Sequence, residues 1–181
     1  MNKTKMLGTI VGILLFVALV AGLSYAWYTW RSSNTTISGS SGCFTIDYVA
    51  GIDIGGAGAA SIDLSSTYTG GLSTSVQMGI DSSCTVNGTG TLYLTTNSTG
   101  TSEILLSEGA LKYQVLASGS PVASGTITQT GQQAIYSNFN LSSGRTTYTI
   151  YVWVDGNIAD NEYVGATYSG YIHASAAQSA S

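Results

Sequence analysis

Charge is scarce in this chain. Asp, Glu, Lys and Arg make up 8% of the 181 residues, and there is one proline, one histidine and two cysteines. Each shortage closes off a class of function. A zinc centre needs three or four N, S or O ligands, yet neither C-x-x-C nor H-E-x-x-H spacing occurs and His173 is the sole imidazole. A hydrolase nucleophile needs a neighbouring base, but no Gly-x-Ser-x-Gly elbow is present and the Ser-rich runs have no base to serve them. Nucleic-acid binding needs cations to meet phosphates. Beyond the N-terminal apolar run, three cations (Arg31, Lys112, Arg145) face nine acids, a balance of about −6 that repels a phosphate backbone. After residue 31 no apolar stripe keeps a 3.6-residue period, so a helical domain is not expected, and there is no repeat of fixed period.

What is abundant is Gly (23), Tyr (12), Ser and Thr. Gly and Thr weaken helices, whereas Thr and Tyr suit a pleated, half-buried surface. Short runs alternate with period two between turn clusters. Phe44, Ile46 and Tyr48 fall on one face, and so do Val76, Met78 and Ile80. Leu92 and Leu94, Tyr113 and Val115, and Ile135, Ser137, Phe139 and Leu141 repeat the pattern, followed by Ile150, Val152 and Val154 and by Tyr168, Gly170, Ile172 and Ala174. Side chains along a strand point alternately to opposite faces, so each run reads as a strand with one buried side. Pro121 fits the start of an edge strand, where no ladder hydrogen bond is lost. The predicted fold is all-β: an antiparallel β-sandwich or jelly roll over residues 43–176, with a short tail at 177–181 and one hydrophobic helix at the N-terminus.

That helix lies in the uncharged, mostly apolar run from Met6 to Trp30, preceded by Lys3 and Lys5. The cations hold the N-terminus in the cytoplasm. Ser24-Tyr25-Ala26 offers a small residue at each end of an A-x-A-like triplet, which predicts a signal peptide over residues 1–26, cut by signal peptidase between Ala26 and Trp27. The run is also long enough to span a bilayer, with Trp27, Tyr28 and Trp30 as an interfacial belt. Either way, residues 6–27 meet the membrane during export, and the remainder is extracellular or on the cell surface, anchored there if the leader stays. Residues 27–42 read as a flexible link or a donor strand.

The leader ending "AGLSYAWYTW" is similar to the SipW-type signals of TasA/camelysin-type proteins. The stretch "TTYTIYVWVDGNIADNEYVGATYSGYIHASA" (residues 146–176) looks like that family's last two strands and the Asp/Asn-rich loop between them. The resemblance implies an exported β-sandwich of a Gram-positive bacterium, and some members assemble into biofilm matrix fibres. Metalloprotease activity has been described for camelysin-like proteins, but the metal ligands it needs are missing here. Cys43 and Cys84 also depart from the family pattern.

Individual residues give further expectations. In an exported chain, Cys43 and Cys84 most simply pair in a disulfide, closing a loop of about 40 residues at a gain of about 4 kcal/mol in the chain-entropy model. Asp155, Asn157, Asp160 and Glu162 crowd oxygen atoms into one loop, which reads as a hairpin turn or as a weak calcium site without EF-hand spacing. No other cofactor is expected. Asp47, Asp53 and Asp63 read as solvent-facing charges. His173 is expected on the outer face of the last strand, exposed beside Tyr171 and Ser175. Tyr148, Tyr151, Tyr163, Tyr168, Tyr171 and Trp153 gather near the C-terminus, as strand fillers or as a contact surface for a sugar or a neighbouring subunit.

The sequence therefore reads as a cell-surface or matrix structural protein and not an enzyme. In that reading Trp27, Tyr28, Trp30 and Ile37 belong to a strand donated to the sheet edge of another copy, or of a related surface protein. The alternative is a monomeric adhesin or glycan-binding module held by the N-terminal helix. N-terminal sequencing of the protein from its native host separates the two leader readings: a first residue of Trp27 establishes the signal peptide, and recovery of the intact leader in membranes establishes the anchor.

Overall fold

The computed structural model describes residues 28–30, 37–41, 44–56, 58–84 and 86–178. The leader, the Ala26–Trp27 cleavage position and Cys43 lie outside these residues. Strand follows strand along the described chain: β1 (Tyr28–Trp30), β2 (Ile37–Ser41), β3 (Phe44–Val49), β4 (Ala60–Ser61), β5 (Leu64–Ser65), β6 (Leu72–Ile80), β7 (Gly88–Thr96), β8 (Leu111–Ala117), β9 (Ser120–Thr126), β10 (Gly131–Leu141), β11 (Gly144–Asp155), β12 (Thr167–Tyr168) and β13 (Gly170–Gln178). Among the described residues, helix is limited to three short 3₁₀ turns, and no helix is long and apolar enough to cross a membrane.

Two main sheets form. One has four strands in the order β1-β13-β7-β10. The other has seven, ordered β2-β3-β6-β11-β8-β9, with β5 alongside β11. Pairing is antiparallel except for the short β5–β11 match. The inward residues of both sheets merge into one core. Ile46, Tyr48, Val76, Met78, Ile80, Val115, Ile150, Val152 and Val154 come from the larger sheet, and Leu92, Leu94, Phe139, Ile172 and Ala174 from the smaller. The period-two runs thus fall on the buried side as the alternation requires. Ile104–Leu106 lies in a 3₁₀ turn, with Leu105 as its buried residue. One run differs. In β10 the register slips between Ala134 and Tyr136 and again between Tyr136 and Phe139, leaving Ser137 exposed while Ile135, Phe139 and Leu141 are buried. These bulges let Tyr136 stack on Phe139 with centroids 4.7 Å apart, and Phe139 meets Tyr148 of the opposite sheet at 5.0 Å.

The turns follow local chemistry. β8 and β9 join through Ser118-Gly119, both at positive φ (47° and 85°), the primed hairpin geometry that matches strand twist. Pro121 stands at the edge in β9, beside a bulge opposite Leu116. Tyr28–Trp30 and Ile37–Ser41, from the span read as link or donor strand, pair within the chain: Tyr28 lies opposite Ala176, and Ile37 opposite Tyr48.

One cross-sheet arrangement depends on a missing side chain. Gly79 of β6 lies between Asp47 of β3 and Arg145 of β11 in the ladder. With no side chain at Gly79, the Arg145 guanidinium reaches across to Asp47, donating from Nε and Nη2 at 2.5 and 2.8 Å. This bidentate pair raises the Arg145 pKa above its ordinary value, through its hydrogen bonds and then through charge. Asp47, read as a free surface charge, is therefore one arm of an ion pair. A Cβ at Gly79 would sit 1.8 Å from the Gly144 carbonyl oxygen, so backbone would have to move. Gly79→Ala is expected to lower the urea midpoint by the equivalent of about 1–3 kcal/mol, the usual cost of overpacking. Arg145→Ala, which breaks only an exposed pair, is expected to lower the midpoint by less than Gly79→Ala does. Equal effects of the two would contradict this account.

Candidate functional site: an aromatic groove on the seven-stranded sheet

The outer face of the larger sheet is built around β11. Its inward residues Ile150, Val152 and Val154 are fully buried, so Tyr151, Trp153 and Asp155 must point out, and all three are half-buried. On one side β8 sets Gln114 opposite Tyr151 and Lys112 opposite Trp153. Next to β8, β9 sets Ser124 opposite Gln114 and Thr126 opposite Lys112. Two rows of outward side chains result: Tyr151–Gln114–Ser124 and Trp153–Lys112–Thr126. Directly opposed residues lie about 5 Å apart at Cβ, close enough to act as one surface.

A third ring packs against these two aromatics. Tyr68, in the 3₁₀ turn Tyr68–Gly70 between β5 and β6, meets Tyr151 at 5.1 Å and Trp153 at 6.3 Å, both edge to face. Between Trp153 and β9 runs a groove of about 340 Å³ whose outward lining is Trp153, Lys112, Gln114, Ser124, Thr126 and Asp155. Its volume sits near the low end of the ~300–1,000 Å³ common for small-ligand clefts.

The polar groups of the groove are held in place. Lys112 Nζ donates to Thr126 Oγ1 at 3.0 Å, and Gln114 Nε2 donates to the Ala123 carbonyl at 2.8 Å. Asp155 Oδ1 accepts from the Asn157 backbone N–H (3.0 Å) and from its side-chain Nδ2 (2.9 Å), which turns the carboxylate back toward its own loop. Beneath this surface, burial raises the Tyr113 phenol pKa, with a hydrogen bond to Gln133 opposing the shift. Burial likewise raises the pKa values of Tyr48 and Tyr168 and, with a smaller contribution from Tyr136, that of Tyr148. These phenols stay protonated and belong to the packing.

Of the C-terminal aromatic cluster expected from sequence, the structure brings only Tyr151 and Trp153 to this face. Tyr148, Tyr163 and Tyr168 point inward and are buried, and Tyr171 lies on the other sheet, its ring 5.9 Å from that of His173. His173 requires a correction. It is 3% exposed, not solvent-facing, and Ser175 beside it is also buried. β13 is an interior strand between β1 and β7, and the Tyr93 ring stacks on the imidazole at 5.0 Å, so side chains of neighbouring positions cover His173.

In the loop after β11, Asp155 closes one turn through Asn157 and Asp160 caps another, accepting from the Glu162 N–H at 2.9 Å. Among the described residues no three His, Cys, Asp or Glu side chains converge as a metal would need. Cys84 is buried in the turn after β6, its N–H donating to the Asp81 carbonyl at 2.9 Å. The side chain and N–H of Ser83 also hold the Asp81 carboxyl below its ordinary pKa. Asp63 is exposed and Asp53 half-buried.

Sequence reasoning missed Tyr68 as a member of the site, because its contacts with β11 depend on a chain path that period-two alternation does not encode. Lys112 and Gln114 carry the alternation signal for an outward face. What the sequence does not reveal is that β8 lies beside β11.

No protein-family model matches the chain, and no curated protein matches it. Comparison with solved structures finds β-domains at low similarity. The CBM36-1 domain of a multidomain xylanase from the hindgut metagenome of Trinervitermes trinervoides is 11% identical, with 86% of this chain and 99% of that one covered, at a TM-score of 0.40. A carbohydrate-binding module CBM36 in complex with calcium and xylotriose is 10% identical, covering 80% and 97%, at a TM-score of 0.32. The PA14 domain of the MpAFP antifreeze protein is 15% identical, covering 82% and 79%, at 0.32. These likenesses are too distant to assign a function.

Proposed function

We propose that this chain is an exported surface protein whose seven-stranded sheet carries a glycan-binding groove. The observation behind this reading is the grouping of Tyr68, Tyr151 and Trp153 beside two in-register rows of hydroxyl, amide and charged side chains. A sugar ring has an apolar C–H face and a rim of hydroxyls. The half-buried Trp153 indole offers area to the first at little entropic cost, while the amide of Gln114 and the hydroxyls of Ser124 and Thr126 suit the second. The groove is lined from strands, so the constellation is rigid before a ligand arrives and little ordering cost opposes binding.

Binding, not catalysis, suits the polar groups. Lys112 and Asp155 are tied into hydrogen bonds, and the groove has no pair of carboxylates to share acid and base roles. The leader predicted over residues 1–26 supports a surface setting. A fibre assembled by strand donation has less support, since Tyr28–Trp30 already lies against β13 of its own chain. The disulfide between Cys43 and Cys84 stays part of the proposal: antiparallel pairing of Ile46 with Ile80 brings Phe44 and the turn bearing Cys84 to the same end of the β3–β6 pair.

Affinity electrophoresis through gels containing soluble polysaccharides tests the binding. The wild-type domain should be retarded by at least one of them. Trp153→Ala should weaken that retardation at least about tenfold, a loss of about 1.4 kcal/mol, while keeping a cooperative melt close to wild type. Retention unchanged by Trp153→Ala, or no retardation in any polysaccharide, would overturn the reading.

A further inference from the structure

The groove also carries information about the charge of its ligand. Among the described residues the one ion pair is Arg145 with Asp47, at the other end of β11. Lys112 is the remaining described cation, and it makes no ion pair: its Nζ is held by the neutral Thr126 hydroxyl. An ammonium group with three donors is thus presented in the groove, opposite Trp153, with positive charge to spare. The other charged group there, Asp155, lies two residues along β11 from Trp153, and Asn157 turns its Oδ1 back toward the loop.

We infer that the groove selects an acidic glycan, one whose sugar carries a carboxylate or a phosphate, with Lys112 receiving the acidic group while Trp153 stacks on the ring. The inference rests on the glycan-binding reading and narrows it. The chain as a whole is acidic, with a net charge of −4, so distant charge works against such a ligand. At physiological ionic strength that repulsion is screened beyond about 8 Å, leaving the groove's own charges to decide, with the Lys112 ammonium beside Trp153 and the Asp155 Oδ1 turned to its loop. One charge-assisted hydrogen bond at a partly exposed site corresponds to a preference of about tenfold. Added salt should erode the preference, because it screens the ammonium more than it affects stacking.

The test is a glycan array probed with the whole exported domain. Oligomers of glucuronic, galacturonic and mannuronic acid are each printed beside their methyl esters, sugar phosphates beside the parent sugars, and amino-sugar oligomers beside their N-acetylated forms. Wild type should prefer one acidic member about tenfold over its neutral twin, and whether that is a uronate or a phosphate identifies the acidic group. Lys112→Gln should bring the acidic-to-neutral binding ratio to about one, whatever it does to the affinity for the neutral twin, and should keep a cooperative melt. Lys112→Arg should restore the preference. Equal binding to acidic and neutral twins, unaffected by Lys112→Gln, would overturn the charge selection and leave the glycan-binding groove standing. Strongest binding to free amino sugars would overturn it in favour of recognition by Asp155. Binding to no member would overturn the groove reading and the charge selection together.

Discussion

The structure depends on one constraint: β11 must serve two surfaces at once, in a fixed register between β6 and β8. The pairs Tyr148 to Val76 and Val152 to Tyr113 keep Ile150, Val152 and Val154 in the core. A one-residue slip would send those three out and bury Tyr151, Trp153 and Asp155 instead. Burying an aliphatic side chain is worth about 1.5–3 kcal/mol, so the three inward residues alone make the slip prohibitive. Tyr151 and Trp153 owe their outward orientation to this core preference, and Tyr68 then packs against them.

The neighbouring strands extend the same logic. β8 places Lys112 and Gln114 outward because Leu111, Tyr113 and Val115 must be inward, and β9 continues the rows with Ser124 and Thr126. At the far end of β11, Gly79 opens a path across β6 for the pairing of Arg145 with Asp47. Of the two described cations, one is therefore committed to joining strands and the other stands in the groove. The Asp155–Glu162 loop spends its Asp155 and Asp160 carboxylates on its own turns. That is the common fate of Asp and Asn beside glycine and a sharp chain reversal.

Much of the fold was legible in the sequence because alternation is a local signal. Ile46 and Tyr48, Val76 to Ile80, Leu92 and Leu94, and Ile150 to Val154 all fall inside as their spacing requires. The edge position of Pro121 was equally local. What failed to appear was non-local. His173 obeys the alternation and is still buried, because an outward residue is exposed only where nothing covers that face, and sequence does not say which strands are interior. Tyr148, Tyr163 and Tyr168 count as neighbours of Trp153 along the chain but point the other way. Tyr68 is far from Trp153 in sequence and packs against it. The groove is thus half legible: the outward strand residues are readable, and their assembly across β9, β8, β11 and the Tyr68 turn follows from strand order.

The most direct measurement of the central claim is an amide and indole NMR titration of the protein with the best-bound oligosaccharide. The account predicts shifts that trace β8, β9 and β11 from Gln114 and Thr126 to the Trp153 indole, with the four-stranded sheet unmoved. Shifts centred on Tyr93, Tyr171 and His173, or on the 156–166 loop, with Trp153 unperturbed, would contradict it.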